Sequence, residues 1–135
     1  MEDEMEEFQR AEMLLGEANI KKLSKLHIAV FGVGGVGGYV VEALIRTGIG
    51  AFDLIDNDVV SISNLNRQII ATHDTIGKSK TQVMKERILS INPNAKVTVH
   101  NCFFLPDNKD SIDFTQYDYV VDAVDTVTAK LLIIE

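Results

Sequence analysis

The chain has 135 residues, 46% of them hydrophobic and 24% charged, with a formal net charge of −7. That composition describes one ordinary globular domain or part of one, and its acidic balance excludes broad electrostatic binding to nucleic acid, which needs a basic face. A single cysteine excludes an internal disulfide and any zinc site built from CxxC pairs.

The first residues, Met1-Glu-Asp-Glu-Met-Glu-Glu7, read as a solvated acidic tail. They are acidic where a signal peptide would be basic, and no apolar run approaches the ~20 residues needed to span a bilayer. A cytoplasmic protein is therefore expected. Phe8 to Leu26 reads as one or two short helices, with apolar Met13, Leu14, Ile20 and Leu23 and a break at Gly16.

A strand follows at His27–Phe31. It lacks polar alternation, as expected when both faces of a sheet are covered. It stops at Gly32, four more glycines follow by Gly38, and an apolar-periodic helix runs from Val36 to about Arg46, closed by Gly48. Gly32, Gly34 and Gly37 fit G-x-G-x-x-G: a tight turn, a close backbone approach, and helix-on-strand packing. A helix start of this kind offers unpaired N–H groups and a positive dipole end to a phosphate. The loop predicts a nucleotide without saying which.

The second strand is Ala51–Ile55, ending in Asp56-Asn-Asp58. Asp56 stands about twenty residues past the glycines, where an acidic residue holds ribose hydroxyls. That fits NAD as well as ATP, and a carboxylate capping a turn is the plainer alternative. A polar connector from Ser61 to Gly77 leads to a helix from about Lys78 to Ile91, stopped by Asn92-Pro93. The third strand is Lys96–Asn101 and the fourth Tyr119–Asp122; a last helix begins near Thr126. Alternating strands and helices imply parallel pairing with right-handed crossovers, a Rossmann-like α/β fold with a mostly parallel sheet and flanking helices. The apolar Leu131-Leu-Ile-Ile-Glu135 has neither a cap nor a following strand, so the fold is expected to be truncated at its C-terminus.

The connector distinguishes among nucleotides. Ser63-Asn-Leu-Asn-Arg67, with Lys78 and Lys80 beyond it, brings cations toward the glycine loop. A dehydrogenase has no need of them, whereas a nucleoside triphosphate has three phosphates to neutralise and a pyrophosphate to release. Arg67 can grip phosphate oxygens bidentately and Lys80 supplies a point charge; Lys78 reads as a solvated surface residue. Gly77-Lys-Ser79 is not a P-loop, because Thr72 stands where that motif needs glycine. After the fourth strand, Asp125 is aimed at the same crevice. Near phosphates it would hold Mg²⁺, and it can also cap the last helix; Asp122 is a lesser candidate. Cys102 reads as a packed thiol with no cationic activator nearby but His100. His27 and His73 have no metal-ligand spacing.

Gly32-Val-Gly-Gly-Val-Gly37, Leu54-Ile-Asp56-Asn-Asp58, Ser63-Asn-Leu-Asn-Arg-Gln68, Gly77-Lys-Ser-Lys80, Ile91-Asn-Pro93 and Asp122-Ala-Val-Asp125 together resemble the ThiF/MoeB superfamily of ATP-dependent adenylating enzymes, related to ubiquitin-activating enzymes. Arg46-Thr-Gly-Ile-Gly50, Arg10-Ala-Glu-Met-Leu-Leu-Gly16 and Asp125-Thr-Val-Thr-Ala-Lys130 are most similar to its tRNA threonylcarbamoyladenosine dehydratase branch. The resemblance implies residues 1–26 as an N-terminal tail and helices, and 27–135 as an incomplete ATP-binding adenylation domain. It places Gly35 against the nucleotide, Asp56 on the ribose, Asn66, Arg67 and Lys80 on the phosphates, and Asp125 on Mg²⁺. Arg10 corresponds to an arginine that reaches the partner's active site in dimeric relatives, which implies a homodimer. tRNA is the implied substrate. Thr126 departs from the usual asparagine after the metal aspartate, and the chain ends before the family's later strands. Other readings are activation of a sulfur-carrier protein's C-terminal glycine, an NAD-dependent oxidoreductase, and a non-catalytic nucleotide-binding fragment.

Overall fold

A computed structural model describes residues 17–102 and 114–123. In chain order the elements are α1 (Glu17–Leu23), β1 (His27–Phe31), α2 (Val36–Thr47), β2 (Ala51–Ile55), a single 3-10 turn at Ile62–Asn64, α3 (Lys80–Ile91), β3 (Lys96–His100), a second 3-10 turn at Phe114–Gln116, and β4 (Tyr119–Asp122). The four strands form one parallel sheet in the order β3-β2-β1-β4. The register pairs His27 with Ala51, Ala51 with Lys96, and Ile28 with Tyr119.

Strand alternation divides the core between the two faces of the sheet. Ile28, Val30, Phe52 and Leu54 pack against Val41 and Ile45 of α2 and Val83, Met84 and Ile88 of α3. Full burial of side chains this size contributes roughly 1.5–3 kcal/mol each. A polar clasp joins the two helices: Arg87 donates to both carboxylate oxygens of Glu42, at 2.5 and 3.0 Å. That bidentate contact, with help from Arg46, holds the Glu42 carboxyl below the usual carboxylate range against the opposing push of burial. On the opposite face Ala29, Phe31 and Ile55 form a smaller cluster with Cys102, Phe114 and Tyr117. The Phe31 and Phe114 rings stack at 5.6 Å.

Connectivity fixes where a ligand can sit. The chain steps outward from β1 through β2 to β3, then crosses back to place β4 on the other side of β1. The crevice at the C-terminal ends of β1 and β4 is the switch point at which open α/β sheets take their ligands. Gly32 opens on that edge.

The expected β1, β2 and β4 match the structure. α2 runs one residue past Arg46 and closes with Gly48 left-handed at φ 106, as its glycine implied. Two boundaries need correction. α3 starts at Lys80 rather than Lys78, because the Lys78 carbonyl accepts from Val60 N–H and Ser79 takes the N-cap place. β3 ends at His100 rather than Asn101, whose side chain turns to accept from Ser79 and Thr81. The segment before Gly16, the break at Gly16 and the helix near Thr126 lie outside the described residues. Among the described residues no helix is long and apolar enough to cross a membrane.

Candidate functional site

The glycine loop is built by three contacts. Gly32 turns at φ 88, in the left-handed region that favours glycine, and its N–H donates to Ile55 O at 2.9 Å. Gly37 brings the first turn of α2 onto that bend so closely that a Cβ would stand 1.7 Å from the Gly32 carbonyl oxygen. No larger residue fits there. Val33 N–H donates to Asp56 Oδ2 at 3.1 Å, tying the loop to the end of β2. At Gly35, the N-cap position, no side chain among the described residues caps the helix and a Cβ would meet nothing within 4 Å. The first-turn N–H groups of α2 are thus left to something other than this chain's own cap.

Asp56 performs the plainer of its two expected roles: its Oδ1 accepts from Asp58 N–H at 2.9 Å, capping the turn after β2. Each of its oxygens keeps a second lone pair, so the carboxylate still has acceptor capacity for hydroxyls in the crevice.

Asp58 leads to Lys80. The loop after β2 folds back on itself through an antiparallel bridge between Val59 and Ser79, with Lys80 N–H donating to Asp58 O at 3.1 Å. Lys80 is therefore the first residue of α3, and its side chain is buried, with 6% of the residue exposed. Among the described residues its one charged partner is Asp58 Oδ2, at 3.7 Å, and that carboxylate is itself largely exposed. An ammonium is seldom buried unless paired, and a helix N-terminus repels it. Folding alone does not explain a lysine here.

Asn66 and Arg67 are exposed on the connector. Arg67 Nη1 donates to Ser63 O at 2.9 Å and to Asn66 Oδ1 at 3.1 Å, which fixes the guanidinium on its own loop. The connector is packed rather than loose. Asn64 is buried and accepts from Ser61, Ile70 and Ala71 enter the core, Ile69 touches Gly38, and the Gln68 amide lies against Gly34. Glycine loop, Asp56, Asp58 and Lys80 form one chain of contacts, and the stretch bearing Arg67 is pressed onto the same loop. Lys78 is exposed, in keeping with its surface reading. Arg10 and Asp125 lie outside the described residues, so the expected metal ligand and the arginine of the partner-facing arm have no place in this geometry. Among the described residues no group of three or more His, Cys, Asp and Glu side chains could hold a metal.

Two features escaped the sequence reading. Gln68 is one. The other is Asp53, buried in the middle of β2 on the face away from α2 and α3. It accepts from His27 Nε2 at 2.6 Å, His100 Nε2 at 2.8 Å and Tyr117 Oη at 2.8 Å. The signal was a carboxylate in the apolar run Ala-Phe-Asp53-Leu-Ile, but its partners come from β1, β3 and Tyr117 in the segment just before β4. His100 is thereby engaged away from Cys102, whose thiol burial pushes up, against any role as nucleophile.

This geometry has parallels in known proteins. The model of the ThiF family matches residues 8–135. The chain is 48% identical over 121 residues to the tRNA threonylcarbamoyladenosine dehydratase of Escherichia coli K12, covering 90% of this chain and 45% of that one. It is 47% identical over 116 residues to the dehydratase of the same name from Haemophilus influenzae, covering 86% and 44%. The crystal structure of the E. coli dehydratase in complex with ATP superposes with a TM-score of 0.93 at 45% identity, covering 96% of this chain and 54% of that one. The chain thus spans about half the length of these relatives. The chain belongs to the ThiF family.

Proposed function

We propose that this chain binds ATP·Mg²⁺ at the C-terminal edge of the sheet and adenylates a carboxylate, that of the threonylcarbamoyl group on a modified tRNA adenosine. One observation carries the nucleotide reading: Lys80 is a buried cation at a helix N-terminus whose one charged partner among the described residues is a carboxylate 3.7 Å away. A polyanion beside it turns two unfavourable placements into favourable ones. The similarity to relatives called tRNA threonylcarbamoyladenosine dehydratase supports the choice of substrate. Residues 27–135 are then the adenylation unit, flanked by 1–26, working in the cytoplasm as a homodimer in which Arg10 reaches the partner's site.

A carboxylate is a poor acyl donor because oxide leaves badly. Attack of a carboxylate oxygen on the α-phosphorus forms the new O–P bond and breaks the bond to the β-phosphate oxygen, expelling pyrophosphate. Ring closure on the activated carbonyl then expels AMP. The protein supplies position and charge rather than a nucleophile. The α2 N–H groups and Gly35 cradle the phosphates; Lys80, Arg67 and Asn66 neutralise and orient them; Asp56 takes the ribose. Bound Mg²⁺, held by Asp125 and phosphate oxygens, would add charge neutralisation.

Calorimetric titration with ATP·Mg²⁺, AMP and NAD tests the reading. ATP and AMP should bind, and NAD binding without an ATP response would sink it. In a form competent for turnover, Arg67→Ala and Asp125→Ala should each abolish ATP–pyrophosphate exchange with the fold retained.

A further inference from the structure

Gln68 lies on the connector one residue past Arg67. Its backbone is fixed from both sides: its N–H donates to Asn64 O, and its own carbonyl accepts from Ala71 N–H, each at 3.0 Å. The residue is 8% exposed. Its side-chain amide is pressed flat on the glycine loop, with Nε2, Oε1 and Cδ at 3.0, 3.0 and 3.1 Å from where a Cβ on Gly34 would stand. Oε1 is fully buried with no hydrogen-bond partner, the one such side-chain atom among the described residues. Elsewhere among the described residues the buried side-chain carbonyl and carboxylate oxygens are satisfied: Asp53 by three donors, Asn64 by Ser61, Asn92 by the Asn94 N–H.

A buried carbonyl without a donor costs stability, and a side chain of the same length without polar atoms would fill the space more favourably. The amide is therefore not explained by packing. It sits beside the loop that meets the nucleotide, so a bound ligand is the natural source of the missing donor. Phosphates carry no donor at neutral pH; a nucleoside carries hydroxyls and, in adenosine, a ring amine.

Building on the nucleotide site proposed above, we propose that Gln68 is a binding residue that reads the nucleoside part of the ligand, its Oε1 accepting a hydrogen bond from a neutral O–H or N–H of that nucleoside. Arg67 and Lys80 hold the charge. Gln68 tells a nucleotide from a bare polyphosphate.

The test compares the full chain with Gln68→Met, which keeps the length and removes the polar atoms, against four ligands: ATP, 2′-deoxy-ATP, ITP and inorganic tripolyphosphate. Thermal melts run alongside the titrations. Gln68→Met should melt no lower than the parent and bind ATP about tenfold more weakly, while tripolyphosphate affinity is unchanged. A penalty that vanishes for ITP assigns the amine as donor, and one that vanishes for 2′-deoxy-ATP assigns the ribose hydroxyl. Equal weakening for ATP and tripolyphosphate, or no weakening for either, overturns the proposal. Should Gln68→Met fail to fold, Gln68→Glu serves the same comparison. Its carboxylate keeps the acceptor and adds a charge that repels both ligands alike, so relative to the parent it should weaken ATP binding less than tripolyphosphate binding; an equal or larger loss for ATP, or parent-like binding of every ligand, would again overturn the proposal. If the parent itself binds neither ATP nor tripolyphosphate, the nucleotide site fails as a whole, a result distinct from failure of Gln68 alone.

Discussion

Asp53→Asn is the most informative perturbation of the scaffold. The wild-type carboxylate, 4% exposed, accepts from two imidazoles and a phenol at 2.6–2.8 Å and so ties β1, β2, β3 and the approach to β4 together. Asparagine keeps the shape but offers one acceptor oxygen, and it turns an NH₂ group toward groups that are themselves donors. Hydrogen bonds to a charged acceptor contribute roughly 1.5–3 kcal/mol each, and removing one member of a buried charged set costs about 3–5 kcal/mol. The two imidazoles here are 27% exposed and can recover water, so the lower end applies. A loss of about 2 kcal/mol is expected at pH 7, read as a fall of about 1 M in the urea midpoint at unchanged slope.

The same carboxylate sets a pH signature. Burial pushes Asp53 up, but donation from His100, His27 and Tyr117 outweighs it, and the net shift is below the ordinary aspartate value. A carboxyl depressed in the folded state contributes stability that is complete above its unfolded pKa and is lost as pH falls through its folded pKa. The gap between parent and Asp53→Asn should therefore narrow as the pH drops below about 4. A variant within about 0.5 kcal/mol of the parent at pH 7, or a gap that widens in acid, would refute this account of what holds the second face of the sheet.

Three further outcomes follow from the site. Lys80→Met should weaken ATP·Mg²⁺ binding by at least about tenfold in calorimetry while the melting temperature stays level or rises, because a buried cation is removed from a helix N-terminus. A lower melting temperature with ATP affinity unchanged would reverse that assignment. Gly37→Ala forces a methyl into the Gly32 carbonyl oxygen and should destabilise by about 3 kcal/mol or more in urea, since neither partner is a flexible side chain. Cys102→Ser should leave ATP affinity unchanged, and the native thiol should react with iodoacetamide at pH 7 more slowly than free cysteine, in line with its raised pKa.

What the sequence made legible is what depends on neighbours along the chain. The runs His27–Phe31, Ala51–Ile55 and Tyr119–Asp122 stand where their apolar pattern and bounding turns place them, and the glycine spacing predicts the loop because each glycine answers a local demand. The start of α3 was misplaced because Lys78 and Ser79 are held by Val60 and Val59, some twenty residues upstream, rather than by helix propensity. Asp53 was passed over for the same reason. Its partners His27, His100 and Tyr117 lie 26, 47 and 64 residues away and meet it only once the sheet has formed. The sequence offers Lys80 as a candidate cation for phosphate but not its burial, which follows from the loop folding back after β2.

Set side by side, Asp53 and the pair Lys80 and Gln68 separate scaffold from site on physical grounds. All three are buried polar groups in a small domain, and each carries a desolvation cost, larger for the two charged groups than for the amide. Asp53 is repaid within the fold: three donors converge on it, and every one comes from an element it helps to hold. Among the described residues Lys80 has a single carboxylate, at 3.7 Å, and Gln68 Oε1 has no partner. Gln68 lies against Gly34 of the glycine loop, and Lys80 is linked to that loop through Asp58 and Asp56. Stability alone favours replacing each with an apolar residue of equal length. Selection for stability would thus erase the two groups at that edge and keep the cluster around Asp53, and the proposed ligand is what would account for Lys80 and Gln68 there.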